Sequence, residues 1–466
     1  MTDAELSARP GRGGLRPRLS KDPVHVRRRR LVGAGLAGVL VLGGCAADAL
    51  LSGDPTTSPG SPTSGTTTGG PGDASAPSSD DAAGTGSAAP QDADGATTSG
   101  EGAAAGDDAD ASSGGAIWQR EPTPVAAPSD TTKMEQVDRL TGGLTPKSVM
   151  ASGHGLAIAN NMMYSHTSTV FDTSTREQVA VLEDGVDLAD FGVEGHPGIS
   201  QGAPVEAVWT DDGRYAYVSQ YTMYGQNFGV EGFDDCSVSS GVGPSFVYRF
   251  DAEEMAWDQV IQVGAVPKYV ALSPDQKTLL VSNWCDATLS VVDTAKAKEV
   301  GTVPMDAAPR GIVILPDNRT AYSVAMYGDE LYKIDIEERT SEVVMDVTSR
   351  PRHLNLTADG KTMYLTVSGA DTVFKMDTAT DEVVDQATPG QEPRSVAMSP
   401  DETALYVVNY DEASVAKIRT SDMEVIDTVQ VDANPIGIDY DPVTNTVWVA
   451  CYGGSIYVFD DQGTPL

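Results

Sequence analysis

Five prolines, Pro267, Pro309, Pro351, Pro393 and Pro435, follow one another at intervals of 42 residues, and each opens a similar string. From Pro267 it reads PKYVALSPDQKTLLVSNWCDATLSVVD, and from Pro393 it reads PRSVAMSPDETALYVVNYDEASVAKIR. Within each unit Val270 and Leu272 alternate on a first short strand, and Leu280 and Ser282 on a second. Ser273-Pro274-Asp275 supplies the turn between them, where proline presets φ and aspartate bonds back to the backbone. A unit of this length with four short alternating segments cannot bury both of its faces alone, so neighbouring units must stack. Four antiparallel strands per unit point to an all-β chain, each unit being one blade of a β-propeller.

Two further units lie upstream with insertions. Pro204 to Pro267 spans 63 residues, one period plus 21, and Pro146 to Pro204 spans 58, one period plus 16. The expected fold is therefore a seven-bladed β-propeller of four-stranded blades. The last unit, from Pro435 to Leu466, is too short for a fourth strand. Met134 stands twelve residues before Pro146, as Met423 does before Pro435, and glutamate follows both. The segment from Met134 to Leu140 is thus expected to complete the last blade, closing the ring and removing the free sheet edges.

Ahead of the repeats, residues 1–44 hold nine Lys or Arg, ending in Arg27, Arg28, Arg29 and Arg30, against three acids. An apolar run from Leu31 to Leu42 follows, then Gly43, Gly44 and Cys45. A basic start, a short apolar run and small residues describe a secretory signal, with 1–44 the removable part. From about 45 to 130 the chain is almost all Ser, Thr, Gly, Ala, Pro and Asp, a composition that stays a disordered tether. The propeller domain is then expected over 131–466.

Leu42-Gly43-Gly44-Cys45 resembles the lipobox of bacterial lipoproteins, which implies that Cys45 is diacylglycerated and becomes the mature N-terminus. Two acyl chains hold a protein on a membrane surface. The resemblance places the chain in the bacterial cell envelope, with its folded domain outside the cytoplasm. The repeats themselves resemble the YVTN family of β-propellers through Tyr406-Val407-Val408-Asn409, Leu280-Val281-Ser282-Asn283 and Tyr217-Val218-Ser219-Gln220. That family includes surface-layer and periplasmic binding proteins, and lactonase-type and dehydrogenase propellers look similar. One periplasmic branch is associated with DNA. Here the net charge of −36, with +6 in the first 44 residues, leaves −42 on the rest. So acidic a surface repels phosphate backbones, and nucleic acid is not expected as a partner.

In a propeller, the loops between second and third strands share one face with the links between blades. Both insertions fall there, near 185–202 and 223–244, and both contain Phe-Gly-Val-Glu-Gly, at 191–195 and 228–232. Such loops carry binding functions or serve as a lid without a ligand. The residue after the opening proline should point near the channel mouth on that face. It is Lys147, Lys268, Arg310, Arg352 and Arg394 in five blades, a candidate anion-binding throat. The alternative is pairing of each cation with a local acid such as Glu206 or Asp286. Asp286, Asp329, Asp371 and Asp411 read as solvated loop carboxylates. His166, His196 and His353 map near the same face and His154 to the other, at spacings that fit no metal motif. Gly198-Ile199-Ser200-Gln201-Gly202 matches a hydrolase pattern but lacks the strand-to-helix context that the pattern needs. Cys236 and Cys285 sit on neighbouring loops and are expected to form a disulfide, leaving Cys451 buried and unpaired. No haem, P-loop or dinucleotide signature occurs, so no cofactor or metal is called for.

The leading reading is a monomeric, non-catalytic binding or scaffold module that holds a protein or small ligand on its loop-rich face. The runner-up is an enzyme acting on a small anionic molecule such as the lactone of a sugar acid. A third reading is a redox partner similar to the large subunit of amine dehydrogenases.

Overall fold

The computed structural model describes residues 116–162, 164–225, 228 and 236–466. Seven four-stranded antiparallel sheets stand in a ring. Blade three shows the plan, with strands Pro267–Leu272, Thr278–Asn283, Thr288–Asp293 and Lys298–Pro304 running from the centre outward. The first strands pack side by side round the channel. Ser148–Ala151 touches Pro204–Trp209, and so on through the blades until Pro435–Asp441 returns to Ser148–Ala151. A ring is what that last contact means.

Burial follows from position in the stack. Second strands are covered on both faces by adjacent blades, so Thr278–Asn283 and Thr446–Cys451 are buried almost throughout and read as near-continuous apolar runs. Outermost strands such as Glu382–Ala387 are mostly exposed and carry charges. The repeated turn works as a closed set of bonds. Ser273 Oγ donates to Asp275 Oδ1 at 2.8 Å and accepts from Thr278 N–H at 2.9 Å. The same arrangement recurs around Ser399 and Asp401.

The ring is closed by the two ends of the described chain. Thr132–Thr141 pairs antiparallel with Ser455–Pro465, with Leu140 opposite Ile456 and Glu135 opposite Asp460. Met134 enters the core between blades six and seven, beside Tyr406, Tyr440 and Phe459. At the base of this seam Lys417, fully buried on blade six, donates to Asp461 Oδ1 at 2.5 Å and to the Thr132 carbonyl at 2.8 Å. Tyr406 donates to the other Asp461 oxygen at 2.6 Å. Burial pushes the lysine down and the carboxyl up, and their contact opposes both shifts. One ion pair therefore ties together blade six, the C-terminal strand and the N-terminal strand.

The tether expected over 45–130 needs correction at its end. Residues 116–131 lie along the face opposite the inserted loops. Ile117 and Trp118 pack on the apolar cluster of Leu156, Trp209 and Phe250. The Arg120 guanidinium clasps Asp172 with contacts of 2.6 and 2.7 Å. Further on, Thr123 N–H donates to Pro442 O and Ser129 N–H to Asp401 Oδ2. Composition hid this strap because only a few apolar side chains and one arginine hold it. Residues 1–115, including Cys45 and the signal, fall outside the described residues.

Removing one partner of a buried pair strands the other charge, at a cost of about 3–5 kcal/mol. Asp461→Ala should lower the unfolding free energy by that amount in urea titrations. A loss below about 1 kcal/mol would show that the seam does not depend on this pair.

Candidate ligand site at the channel mouth

Each first strand from blade two to blade seven begins with a break in its pairing register just after the proline. Such a bulge re-aims the side chain that sits in it. That places residue 268, 310, 352 or 394 at the mouth of the channel rather than in a blade face, and Lys147 occupies the equivalent place in blade one. Four of the cations, Lys268, Arg310, Arg352 and Arg394, lie on consecutive blades.

They are not equivalent. Lys147 is 4 % exposed and donates to Glu206 Oε1 at 2.8 Å. Burial, with Arg310 and Lys268 nearby and Glu206 opposing, brings its ammonium down to about 8. Arg394 Nη2 reaches Glu392 Oε1 at 2.7 Å, and Arg352 reaches the same oxygen at 3.5 Å. Lys268 rests its ammonium over Tyr221 at 4.2 Å and Trp284 at 5.1 Å. Arg310 is half-buried, lies 5.9 Å from the Trp284 ring, and has a Met326 Sδ contact at 3.9 Å. Among the described residues it makes no ion pair with a carboxylate.

The structure adds a collar that inspection of the sequence passed over. Seventeen residues after the opening proline stand Tyr221, Trp284, Met326, Ser368, Tyr410 and Tyr452, the first residue of each inner loop. Lys268 and Arg394 lie on such rings, with Arg394 3.3 Å from the Tyr410 centroid, and Arg310 meets Met326. The signal was present as a fixed register in the repeat. Two charged residues before the prolines, Arg350 and Glu392, were also overlooked. The corresponding residues Ala203, Val266 and Ala308 are apolar.

Below the mouth a hydrogen-bonded bar joins blade three to blade five. His353 Nε2 and the Tyr269 hydroxyl are 2.6 Å apart, and Val396 N–H donates to His353 Nδ1 at 2.9 Å. An imidazole that accepts at Nδ1 keeps its proton on Nε2, so it donates to the tyrosine. Burial, reinforced by Lys147 and Arg310, lowers this histidine to about 3 and keeps it neutral. Blade four makes room between them because Gly311 lacks a Cβ, which would lie 2.7 Å from Arg352 O. Beyond the bar a cavity of about 360 Å³ opens toward the strap face, lined by Met150, Val208, Leu272, Val313, Asn355 and Leu356. Deeper on blade seven, burial raises Asp439 to about 7, although Ala151 N–H donates to it at 2.8 Å.

The remaining candidates are dispersed. His166 Nδ1 meets the Tyr224 hydroxyl at 2.5 Å, and that hydroxyl donates to Asp184 at 2.6 Å. Burial raises Asp184 to about 6. This chain anchors the second insertion to blade one. His196 stacks on Phe228 at 4.3 Å, so the two insertions pack on each other, with Phe191 and Val193 beside Met223 and Phe246. Residues 229–232 of the second repeat of that motif fall outside the described residues. His154 lies on the strap face, between Arg120 O and Asp211 O. Among the described residues no three His, Cys, Asp or Glu side chains are grouped to hold a metal. Ser200 sits in a short hairpin strand, Ile199–Ser200, and not on an elbow into a helix.

Of the four loop carboxylates, Asp286 accepts from Ala265 N–H, Asp329 from Arg350 N–H and Asp371 from Glu392 N–H. These three brace the links between blades and are not merely solvated. Cys236 is joined to Cys285 across a Cα separation of 5.4 Å, which pins the second insertion beside Trp284. Closing a loop of 49 residues contributes roughly 2–4 kcal/mol. Cys451 is buried and free, and burial lifts its thiol to about 12.

No family model matches this chain, and no curated protein matches it. Among solved structures, a chain of Kuenenia stuttgartiensis hydrazine synthase aligns with a TM-score of 0.52 and 18 % identity. The alignment covers 69 % of this chain and 97 % of that one. At that identity the likeness is one of fold, and a fold of this kind hosts unrelated functions. The chain is a seven-bladed β-propeller.

Asp439 gives the site a pH signature. Its folded value of about 7 lies above the ordinary 3.8, so the unfolded chain ionises first. The carboxyl's contribution is intact below 3.8 and is lost as pH rises through 7. Asp439→Asn keeps an acceptor for Ala151 N–H and cannot ionise. Its Tm should gain several degrees on wild type between pH 4 and pH 8. Parallel Tm profiles for the two proteins would refute the raised value.

Proposed function

We propose that the chain is an exported, lipid-anchored β-propeller of the YVTN type that binds a small organic carboxylate at the loop-rich mouth of its channel. The observation that carries the reading is Arg310. It is a half-buried guanidinium without a carboxylate partner among the described residues, beside Trp284 and Lys268, in a strongly acidic chain. Most other cations of the throat are neutralised by Glu206 and Glu392, so a ligand would meet its charge here. Aromatic and thioether surfaces from the collar would cover the ligand's apolar body. The disulfide and the mutual packing of the insertions support a preformed site, which limits the entropy lost on binding.

A thermal-shift screen of organic carboxylates should find compounds that raise Tm. For such a compound Arg310→Ala should weaken binding roughly 10- to 100-fold, the worth of a charge-assisted hydrogen-bond pair. Titration calorimetry showing equal affinity for both proteins would end this reading. The anchor is tested separately. Cys45→Ser should move the exported chain from the detergent phase to the aqueous phase on partition, and no change would remove the lipid from the proposal.

One observation favours a hydrolytic reading, with a small anionic lactone as substrate. Lys147 at about 8 and Asp439 at about 7 both titrate near neutral within the same channel. Turnover of the bound compound, abolished by Asp439→Asn while binding persists, would select that alternative.

A further inference from the structure

The inner strands carry a second register, at the other end of the channel. The fourth residue after the opening proline is Met150, Val208, Ala271, Val313 and Asn355 in blades one to five. All five line the cavity of about 360 Å³ on the strap face. Blades six and seven put Ala397 and Asp439 at the same position. Asp439 thus completes a ring that is apolar except for Asn355. Two observations tie it to the cavity wall. Its carboxylate accepts from the N–H of Ala151, the residue after Met150, at 2.8 Å. After burial and Glu206, its charge also helps to raise the hydroxyl of Tyr269, which lines the cavity. Asp439 keeps part of its surface accessible, whereas its strand neighbours Ile438 and Tyr440 are buried.

The carboxylate meets no cation. Burial pushes it up to about 7, the N–H groups of Ala151 and Tyr440 oppose that rise, and Asp441 on the same strand adds to it. Four elements around this strand bring Lys147, Arg394, Tyr406 and Cys451 near it in sequence, and Tyr269 stands across the channel. Among the described residues none of these forms an ion pair with Asp439. One carboxylate among apolar side chains does not furnish the roughly six oxygens that a hard metal ion takes. An acceptor of single negative charge set in apolar walls matches a primary ammonium group on a hydrocarbon body. The cavity lies at the lower end of the roughly 300–1,000 Å³ found for ligand pockets, so the body must be small.

We propose that the strap-face end of the channel binds a small primary ammonium ion with an apolar body, held by Asp439 through charge and by Met150, Val208 and Val313 through contact. The site lies beyond the Tyr269–His353 bond from Arg310, takes the opposite charge and does not rest on the carboxylate reading. Binding requires the ionised carboxyl, so a ligand that enters while Asp439 is protonated displaces its proton.

The probe is phenethylammonium, with phenethyl alcohol as its uncharged analogue, each titrated calorimetrically into the purified full chain. An alkylamine titrates near the value of lysine, about 10, and stays charged from pH 6 to pH 8. Its affinity should rise about tenfold over that interval, as the carboxyl passes from mostly protonated to mostly ionised. The alcohol should bind more weakly at pH 8 and show no such rise. Asp439→Asn cannot ionise and should weaken phenethylammonium binding at pH 8 roughly 10- to 100-fold, the worth of a hydrogen bond to a charged group, and flatten the pH profile. Val313→Phe fills the cavity and should cost a similar factor, with circular dichroism reporting that the fold is kept. Should Val313→Phe not fold, the Asp439→Asn comparison decides alone. Equal affinity for the ammonium and the alcohol overturns the proposal, as does no binding at pH 8 or binding unchanged in Asp439→Asn. Binding lost in Arg310→Ala but kept in Asp439→Asn would move the ligand to the mouth and overturn it equally. The mouth is tested with carboxylates on Arg310→Ala, so neither failure implies the other.

Discussion

The whole ring depends on one seam. Six of the seven blades are made from consecutive strands, but the seventh needs Thr132–Thr141 to lie beside Ser455–Pro465. Bringing segments more than three hundred residues apart into register costs loop entropy, and the contacts formed there must offset it. They are unusually varied. A ten-residue strand supplies ladder hydrogen bonds, Met134 supplies apolar burial, and Lys417 with Asp461 supplies a buried pair that also holds the Thr132 carbonyl. The lysine's set of acceptors is complete only in the closed ring, because the Thr132 carbonyl is on the N-terminal strand.

Once closed, the ring determines what the channel mouth can be. From blade two to blade seven a bulge after the proline turns the next side chain toward the axis, and seven inner strands bring those side chains within reach of one another. Converging cations raise each other's cost of burial. The structure meets that cost in different ways at different blades: Glu206 for Lys147, aromatic faces for Lys268, and Glu392 for three arginines. Arg310 stands apart, close to Trp284 and Met326 with no carboxylate against it among the described residues. The mouth is thus an uneven ring of charge, and its unevenness is what gives it a place for a ligand. The two insertions and the Cys236–Cys285 bridge build a wall on the same face, over blades one to three.

Much of the fold was legible in the chain, since a 42-residue period is a geometric statement. It says that one supersecondary unit is repeated, and the missing strand of the last unit says where the ends must meet. The site was legible only in part. The five cations could be found because they follow the prolines. The collar of Tyr221, Trp284 and Tyr410 sits in the same register and was equally readable, but aromatic residues in a repeat look like core until the loops are placed. Composition reads 116–130 as tether because it averages over a window, and two apolar residues with Arg120 do not change an average.

By itself the sequence determined the number of blades, the order of strands within them and the pairing of the chain's ends. These follow from spacing and alternation, which are local and survive in one dimension. Only the tertiary structure decided that Glu206 meets Lys147, that Glu392 meets three arginines, and that His353 is neutral and bonded to Tyr269. Those outcomes depend on distances between residues from different blades. The electrostatic energy of a buried charge is set by what lies within a few ångströms of it, whatever its distance along the chain.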